Sequence, residues 1–356
     1  MKNFNRFSLF ILFITLSSAA FSQIGGHATY EFLNLPNSAR IGSIGDNYLV
    51  SKDNDLNLTL TDPALITPQM NNNFALSFVD YFTDINYGYA IYSRTFRTLG
   101  SFTGALQFID YGQFTYADNT GQTSGTFTAS EYAFNIGWGR ELDSSFSIGA
   151  NLKAIYSTLE SYHSVGVAVD VAGAYHSKSD FTASLLFRNI GRQITTYYGA
   201  DAEALPFEID AGISKRLKYV PFRYFINYNH IEKWDMTYFD PSNPDNVDPY
   251  TGQPKTKSGI ADFGDKLMRH IVVGGEISPV KNLSLRLGYN YQRRQELKIR
   301  EKVGMVGFSW GVSLRISKFE ISYARATYSL AGAPNFFTFT FNPSASLKKK
   351  QHLPAE

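Results

Sequence analysis

From Phe74 onward, apolar side chains and polar or small ones take turns at every second position, in short segments separated by Gly, Pro, Asn and Asp clusters. A period of two is that of a β-strand whose two faces meet different surroundings. In 73–80, Phe74, Leu76 and Phe78 fall on one face and Ala75, Ser77 and Val79 on the other. In 85–96, Ile85, Tyr87, Tyr89 and Ile91 oppose Asn86, Gly88, Ala90, Tyr92 and Arg94. The same pattern predicts strands over 101–112, 127–140, 146–157, 163–176, 181–190, 206–216, 222–235, 268–278, 283–293, 305–316, 319–328 and 335–342, fourteen in all.

Connection lengths support the count independently. In a transmembrane barrel, short turns gather at one end and longer loops at the other. Links after even-numbered strands, such as 97–100, 141–145, 177–180, 278–282 and the one at Lys318, are short; those at 111–125, 191–205, 236–266 and 294–304 are long. The first link, at Thr83, is the exception. A soluble sandwich or propeller has no reason to sort its loops by parity.

The stretch from Tyr30 to Ile66 has no strand pattern. The predicted fold is therefore all-β: an antiparallel transmembrane barrel over 73–343 enclosing an N-terminal hatch over 23–72. Before the hatch, Met1 to Ser22 combines a basic start (Lys2, Arg6), an apolar run from Phe7 to Leu16 and Ala20-Phe21-Ser22. That pattern reads as a secretory signal peptide. A basic tail, 344–356 with Lys348, Lys349 and Lys350, is expected on the periplasmic side of an outer membrane.

Apolar columns such as Val165, Val167, Val169 and Val171, or Phe308, Trp310, Val312, Leu314 and Ile316, or Phe337, Phe339 and Phe341, are expected to face lipid. On the other face Lys153, Arg188, Arg223, Arg286 and Arg315 are balanced by Asp170, Glu208, Asp210, Glu276 and Glu320, which suits internal ion pairing rather than a single-sign selectivity ring. Arg325 shares the apolar face but lies near a strand end, where a long cation reaches the interface.

Mean hydropathy is −0.20, which a barrel tolerates because only alternate side chains meet lipid. The 29 Phe and 23 Tyr fit aromatic girdles. The absence of Cys removes disulfides, thiolate metal sites and cysteine nucleophiles. The formal charge of +2 is supplied by Lys2 and Arg6, so the remainder is neutral and offers no broad electrostatic case for nucleic acid.

No catalytic, metal or cofactor site is predicted. The six His have no spacing suited to a metal, and His230 with Glu232 is the nearest approach to an acid/base pair. The loop with Asp240, Asp245 and Asp248 does not match a calcium loop. Its aromatics Trp234, Tyr238, Phe239 and Tyr250 are the candidate partner-binding residues, because amphipathic aromatics dominate interface hot spots. For Trp234 and Tyr238 a place in the surface aromatic girdle is the competing expectation.

Phe32-Leu33-Asn34-Leu35-Pro36-Asn37-Ser38-Ala39-Arg40, Gly42, Gly45 and Asp62-Pro63-Ala64-Leu65 resemble the start of FadL-type outer-membrane barrels, in which Asn usually stands where this chain has Asp62. With Tyr81 to Gly88, Phe108 to Gly112 and Ile155 to Tyr162, the resemblance narrows to the PorQ family of the Bacteroidetes type IX secretion system. It implies a fourteen-stranded barrel without chemistry of its own that holds the surface protein PorZ. The implied complex also contains the sortase PorU and the barrel PorV, and it joins secreted cargo to anionic lipopolysaccharide. The alternative is a FadL-like transporter of hydrophobic small molecules.

Overall fold

The computed structural model describes residues 28–45, 48–199, 202–237, 259–298, 304–329 and 332–343. The expected signal peptide, the basic tail and Tyr238, Phe239 and Tyr250 lie outside them.

Fourteen antiparallel strands close into a barrel in sequence order, with β1 (Phe74–Asp80) completing the ring against β14 (Asn335–Phe341). Between them run β2 (Asn86–Phe96), β3 (Gly100–Ala117), β4 (Thr123–Glu141), β5 (Phe146–Leu159), β6 (Tyr162–His176), β7 (Phe181–Thr195) and β8 (Glu208–Arg216). β9 (Phe222–Tyr228), β10 (Ile271–Val280), β11 (Leu283–Asn290), β12 (Phe308–Ile316) and β13 (Phe319–Ala326) follow. Closure leaves no unpaired strand edge, the condition for β-structure in lipid.

The alternation maps onto the wall as predicted. Val165, Val167, Val171, Phe308, Trp310, Leu314, Ile316, Phe337 and Phe339 are exposed on the outside, while Ala75, Ala105, Ala133, Ala168, Ala172 and Ala324 are buried inside. Neighbouring outer rings touch: Tyr323 lies 5.3 Å from Phe337 and Trp310 lies 5.6 Å from Tyr323. Arg325 is exposed at the end of β13, where it donates to Asn335 Oδ1 at 3.0 Å.

Three expectations need correction. The 111–125 segment is a projecting hairpin rather than a loop, because Phe114 and Phe127 stack across it at 5.1 Å and Tyr116 packs on Phe127 at 4.8 Å, so β3 and β4 keep pairing. β9 ends at Tyr228 instead of 235, since His230 takes φ 55° and turns the chain away. Two stretches read as loop and adjoining strand end are helices. They are α2 (Gly259–Arg269) and α3 (Tyr291–Leu297), the latter capped by Asn290 Oδ1 accepting from Arg293 N at 2.9 Å.

The even-numbered links are short, and all define one end, here termed the turn end. At the opposite, loop end lengths vary: β9 to β10 spans 229–270, yet β5 joins β6 through Glu160 and Ser161 alone.

The hatch fills the lumen with α1 (Ala39–Gly42) and four single 3-10 turns. Its Ile41, Ile44, Tyr48, Leu49, Val50, Leu58 and Leu65 are fully buried and pack with Ala172, Ala174, Leu186 and Phe225 of the wall. At roughly 1.5–3 kcal/mol for each large apolar side chain, this burial is what draws the hatch in.

Candidate functional site

A segment with so little regular structure must satisfy its buried carbonyls elsewhere. The wall supplies the donors. Gln107 donates to Phe32 O at 3.2 Å, Tyr87 OH to Pro36 O at 2.9 Å, Asn290 to Gly45 O at 3.0 Å and Asn227 to Tyr48 O at 2.7 Å. Asn151 donates to Leu60 O at 3.1 Å and Ser147 to Ala64 O at 2.7 Å. These donors come from β2, β3, β5, β9 and β11, so the hatch is socketed around most of its circumference. Asp62 accepts from Ser184 Oγ at 2.6 Å, Tyr48 OH at 3.3 Å and Ala64 N at 3.0 Å. Every one of these partners is a donor, so a carboxylate serves where FadL-type chains have Asn.

Ion pairs fasten the hatch more tightly. Arg40 is buried and reaches Asp53 at 2.5 Å, Asp55 at 2.8 Å and Glu276 of β10 at 3.5 Å. Arg223 of β9 bonds the same Asp53 at 2.5 Å, and Arg286 of β11 holds Glu276 at 2.6 Å. Three guanidinium groups and three carboxylates thus form one neutral network joining hatch to wall. It borders a polar cavity of about 1090 Å³ at the turn end, lined also by Asn73, Arg315 and Glu320. The wall charges Arg223, Arg286 and Glu276 were legible as inward-facing. Their hatch partners Arg40, Asp53 and Asp55 were missed, although charged residues in a segment destined for burial must find opposite charges.

Nearer the loop end, Arg188 is enclosed by Glu208 at 3.1 Å, Asp210 at 3.4 Å and the carbonyl of Leu33 at 3.2 Å. Lys153 pairs with Asp170 at 2.8 Å. His230 and Glu232 do meet, with Nδ1 3.0 Å from Oε1, but in a turn rather than on a strand, and Nε2 faces Glu208 at 3.4 Å. Burial works against the imidazolium, yet Glu232, Glu208 and Asp210 outweigh it and raise the pKa from 6.5 to about 9. A raised pKa stabilises the fold fully below 6.5, and the contribution disappears as pH rises through 9. Thermal unfolding of the detergent-solubilised protein is expected at lower temperature at pH 10 than at pH 6. His230→Gln should flatten that slope; an identical slope in the variant would remove His230 as its source.

At the loop end Trp234 sits 5.3 Å from Phe263 of α2 and 5.7 Å from His270, which stacks on Tyr228 at 4.8 Å. Of the four candidate partner-binding aromatics it is the one among the described residues. The charged side of α2 turns toward the protein: Asp265 accepts from Tyr291 OH at 2.9 Å, Arg269 lies 3.7 Å from Glu296 of α3, and Lys266 pairs with Asp235 at 3.0 Å. α3 in turn sets the Arg293 guanidinium 3.9 Å from the centre of the Tyr328 ring, in the link after β13, while its cap Asn290 donates to Gly45 O of the hatch.

No protein-family model and no curated protein matches the chain. Solved structures do. The toluene transporter TodX of Pseudomonas putida superposes with a TM-score of 0.50 at 11% identity, covering 86% of this chain and 97% of that one. The chain shares the fold of these outer-membrane channels. A TodX mutant described as a monoaromatic hydrocarbon channel gives 0.52 at 12% identity over 87% and 100% of the two chains. A Pseudomonas aeruginosa FadL homologue gives 0.47 at 9% identity, covering 86% and 98%, too low in shape agreement to carry an argument. The likeness is of fold and extends over 97% and 100% of the two TodX chains.

Proposed function

We propose that the chain is a non-enzymatic outer-membrane scaffold of the type IX secretion system. In this reading the loop end faces the cell surface and holds a PorZ-like protein in the complex with PorU and PorV, surrounded by outer-membrane lipid and lipopolysaccharide. The observation that carries it is the lumen: the hatch is socketed and ion-paired to the wall, and the cavity beside it is polar and charged. Such an interior suits a fixed plug better than a path for apolar compounds. The system and the partner are carried by the sequence resemblance alone. Trp234, Tyr238, Phe239 and Tyr250 are the proposed anchors.

The second reading is FadL-like transport of hydrophobic small molecules. The names of the structural neighbours lean this way rather than toward a scaffold, since they are toluene and monoaromatic-hydrocarbon channels. The apolar cluster at the loop end, including Tyr30, Phe32, Leu33 and Tyr87 with Phe82 against it, is where such a compound would enter.

Affinity capture of the tagged protein from solubilised outer membranes, with mass spectrometry of what comes with it, separates the two. The scaffold reading expects a large surface protein in equal amount, lost when 238–258 is replaced by a Gly-Ser linker that leaves α2 in place. Recovery of the barrel alone, with bound lipid or fatty acid, would transfer the assignment to transport.

A further inference from the structure

Helix α2 is amphipathic in the reverse of the usual sense. A helix on a protein surface buries its apolar face and shows its charges to water. Here Asp265, Lys266 and Arg269 are engaged with Tyr291, Asp235 and Glu296, whereas Ile260 is 89% exposed, Phe263 57% and Met268 41%. Ile260 and Phe263 fall at i and i+3, with half-buried Leu267 at i+7 on the same face and exposed Met268 beside it.

This stripe continues the lipid-facing surface of the barrel. Tyr228, the last residue of β9, alternates with buried Phe225 and Asn227 and so shares the outer face with exposed Ile226. It pairs with Ile271, which lies on the same face of β10 as exposed Val273; Val273 pairs with Tyr289, whose ring is 4.8 Å from Phe308. That row of aromatic and aliphatic side chains crosses β9 to β12 at the loop end. From Tyr228 a stack runs outward through His270 and Trp234 to Phe263, without a break between wall and helix.

From this geometry we infer that α2 is a membrane-interface helix, its exposed Ile260, Phe263 and Met268 immersed in the acyl chains of the adjoining lipid leaflet. Amphipathic helices lie in that plane with the apolar face a few ångströms into the acyl boundary and the charged face up. Trp234 and Tyr228 occupy the headgroup level that such rings favour. The helix widens the barrel's grip on one leaflet beside β9 and β10. The inference is independent of what the barrel holds or passes.

The cysteine-free chain makes the test direct. Single nitroxide labels on Ile260→Cys and Phe263→Cys are read in phosphatidylcholine vesicles holding no other protein, against Leu287→Cys on the outer wall and Asn119→Cys in the β3–β4 turn. Heat-shifted gel migration checks that each variant folds. The expected result is collision with oxygen over a water-soluble nickel chelate at 260 and 263, as at 287 and opposite to 119. Nickel preference at both positions would place the stripe in water. Protection from both relaxants would mean that protein covers it, either 238–258 or a second copy. Either outcome overturns the inference, and neither depends on a secretion partner.

Discussion

Arg40→Ala is expected to loosen the hatch and to cost the folded barrel about 3–5 kcal/mol, the scale on which removing one member of a buried ion pair strands its partners. Arg40 contacts three carboxylates at once, and its own side chain is only 7% exposed. After its loss Asp53 keeps Arg223 and Glu276 keeps Arg286, but Asp55 loses its cation. The temperature at which the barrel band shifts on a gel should fall, and conductance in planar bilayers should rise as the hatch moves off the turn-end cavity. Arg315→Ala is the comparison, because Arg315 is 59% exposed beside Glu320 and an exposed pair is worth about 0–1 kcal/mol. Equal stability of the two variants would show that the network does not hold the hatch.

Filling the glycine sockets is expected to act at least as strongly. At Gly288 of β11 an added Cβ would stand 2.0 Å from Ile44 O, and at Gly149 of β5 it would stand 2.2 Å from Pro63 O. In each case the obstacle is hatch backbone, which cannot rotate aside. Overpacking a close-fitted interior costs about 1–3 kcal/mol even where side chains can shift, and here the carbonyl sockets at Gly45 and Ala64 would be displaced as well. Gly288→Val and Gly149→Val should therefore give barrels that assemble poorly or expose the hatch to protease. Gly104→Ala, where a Cβ meets nothing within 4 Å, should behave as the parent chain. Protease resistance at Gly288→Val equal to that at Gly104→Ala would mean that the hatch does not pack as described.

Strand number and the sidedness of many wall residues were legible because a strand's two faces have a period of two and only one face meets lipid; in β2 the apolar column Tyr87, Tyr89 and Ile91 turns inward onto the hatch instead. Val165 and Phe308 fell outside, and Arg188 and Glu276 inside, on alternation alone. The inward glycines were a readable signal left unused: a Gly inside a strand marks a close approach of other backbone. Helix α2 was hidden because its charged face is spent on Asp235, Tyr291 and Glu296, contacts that are far from it in sequence or irregular in spacing. The hairpin beyond Asp110 was hidden because Gly, Asn and Asp in 111–125 read as a loop while cross-strand aromatic pairs carried the strands onward.

By itself, then, the sequence determined fourteen strands, the two faces of each and a non-strand N-terminal segment, since local alternation and turn chemistry act over a few residues and need no partner. Only the tertiary structure decided how the hatch is held, because Arg40 meets Glu276 and Asn290 meets Gly45 across more than two hundred residues of chain. A pairing of that range depends on barrel closure and register, which the whole wall fixes together.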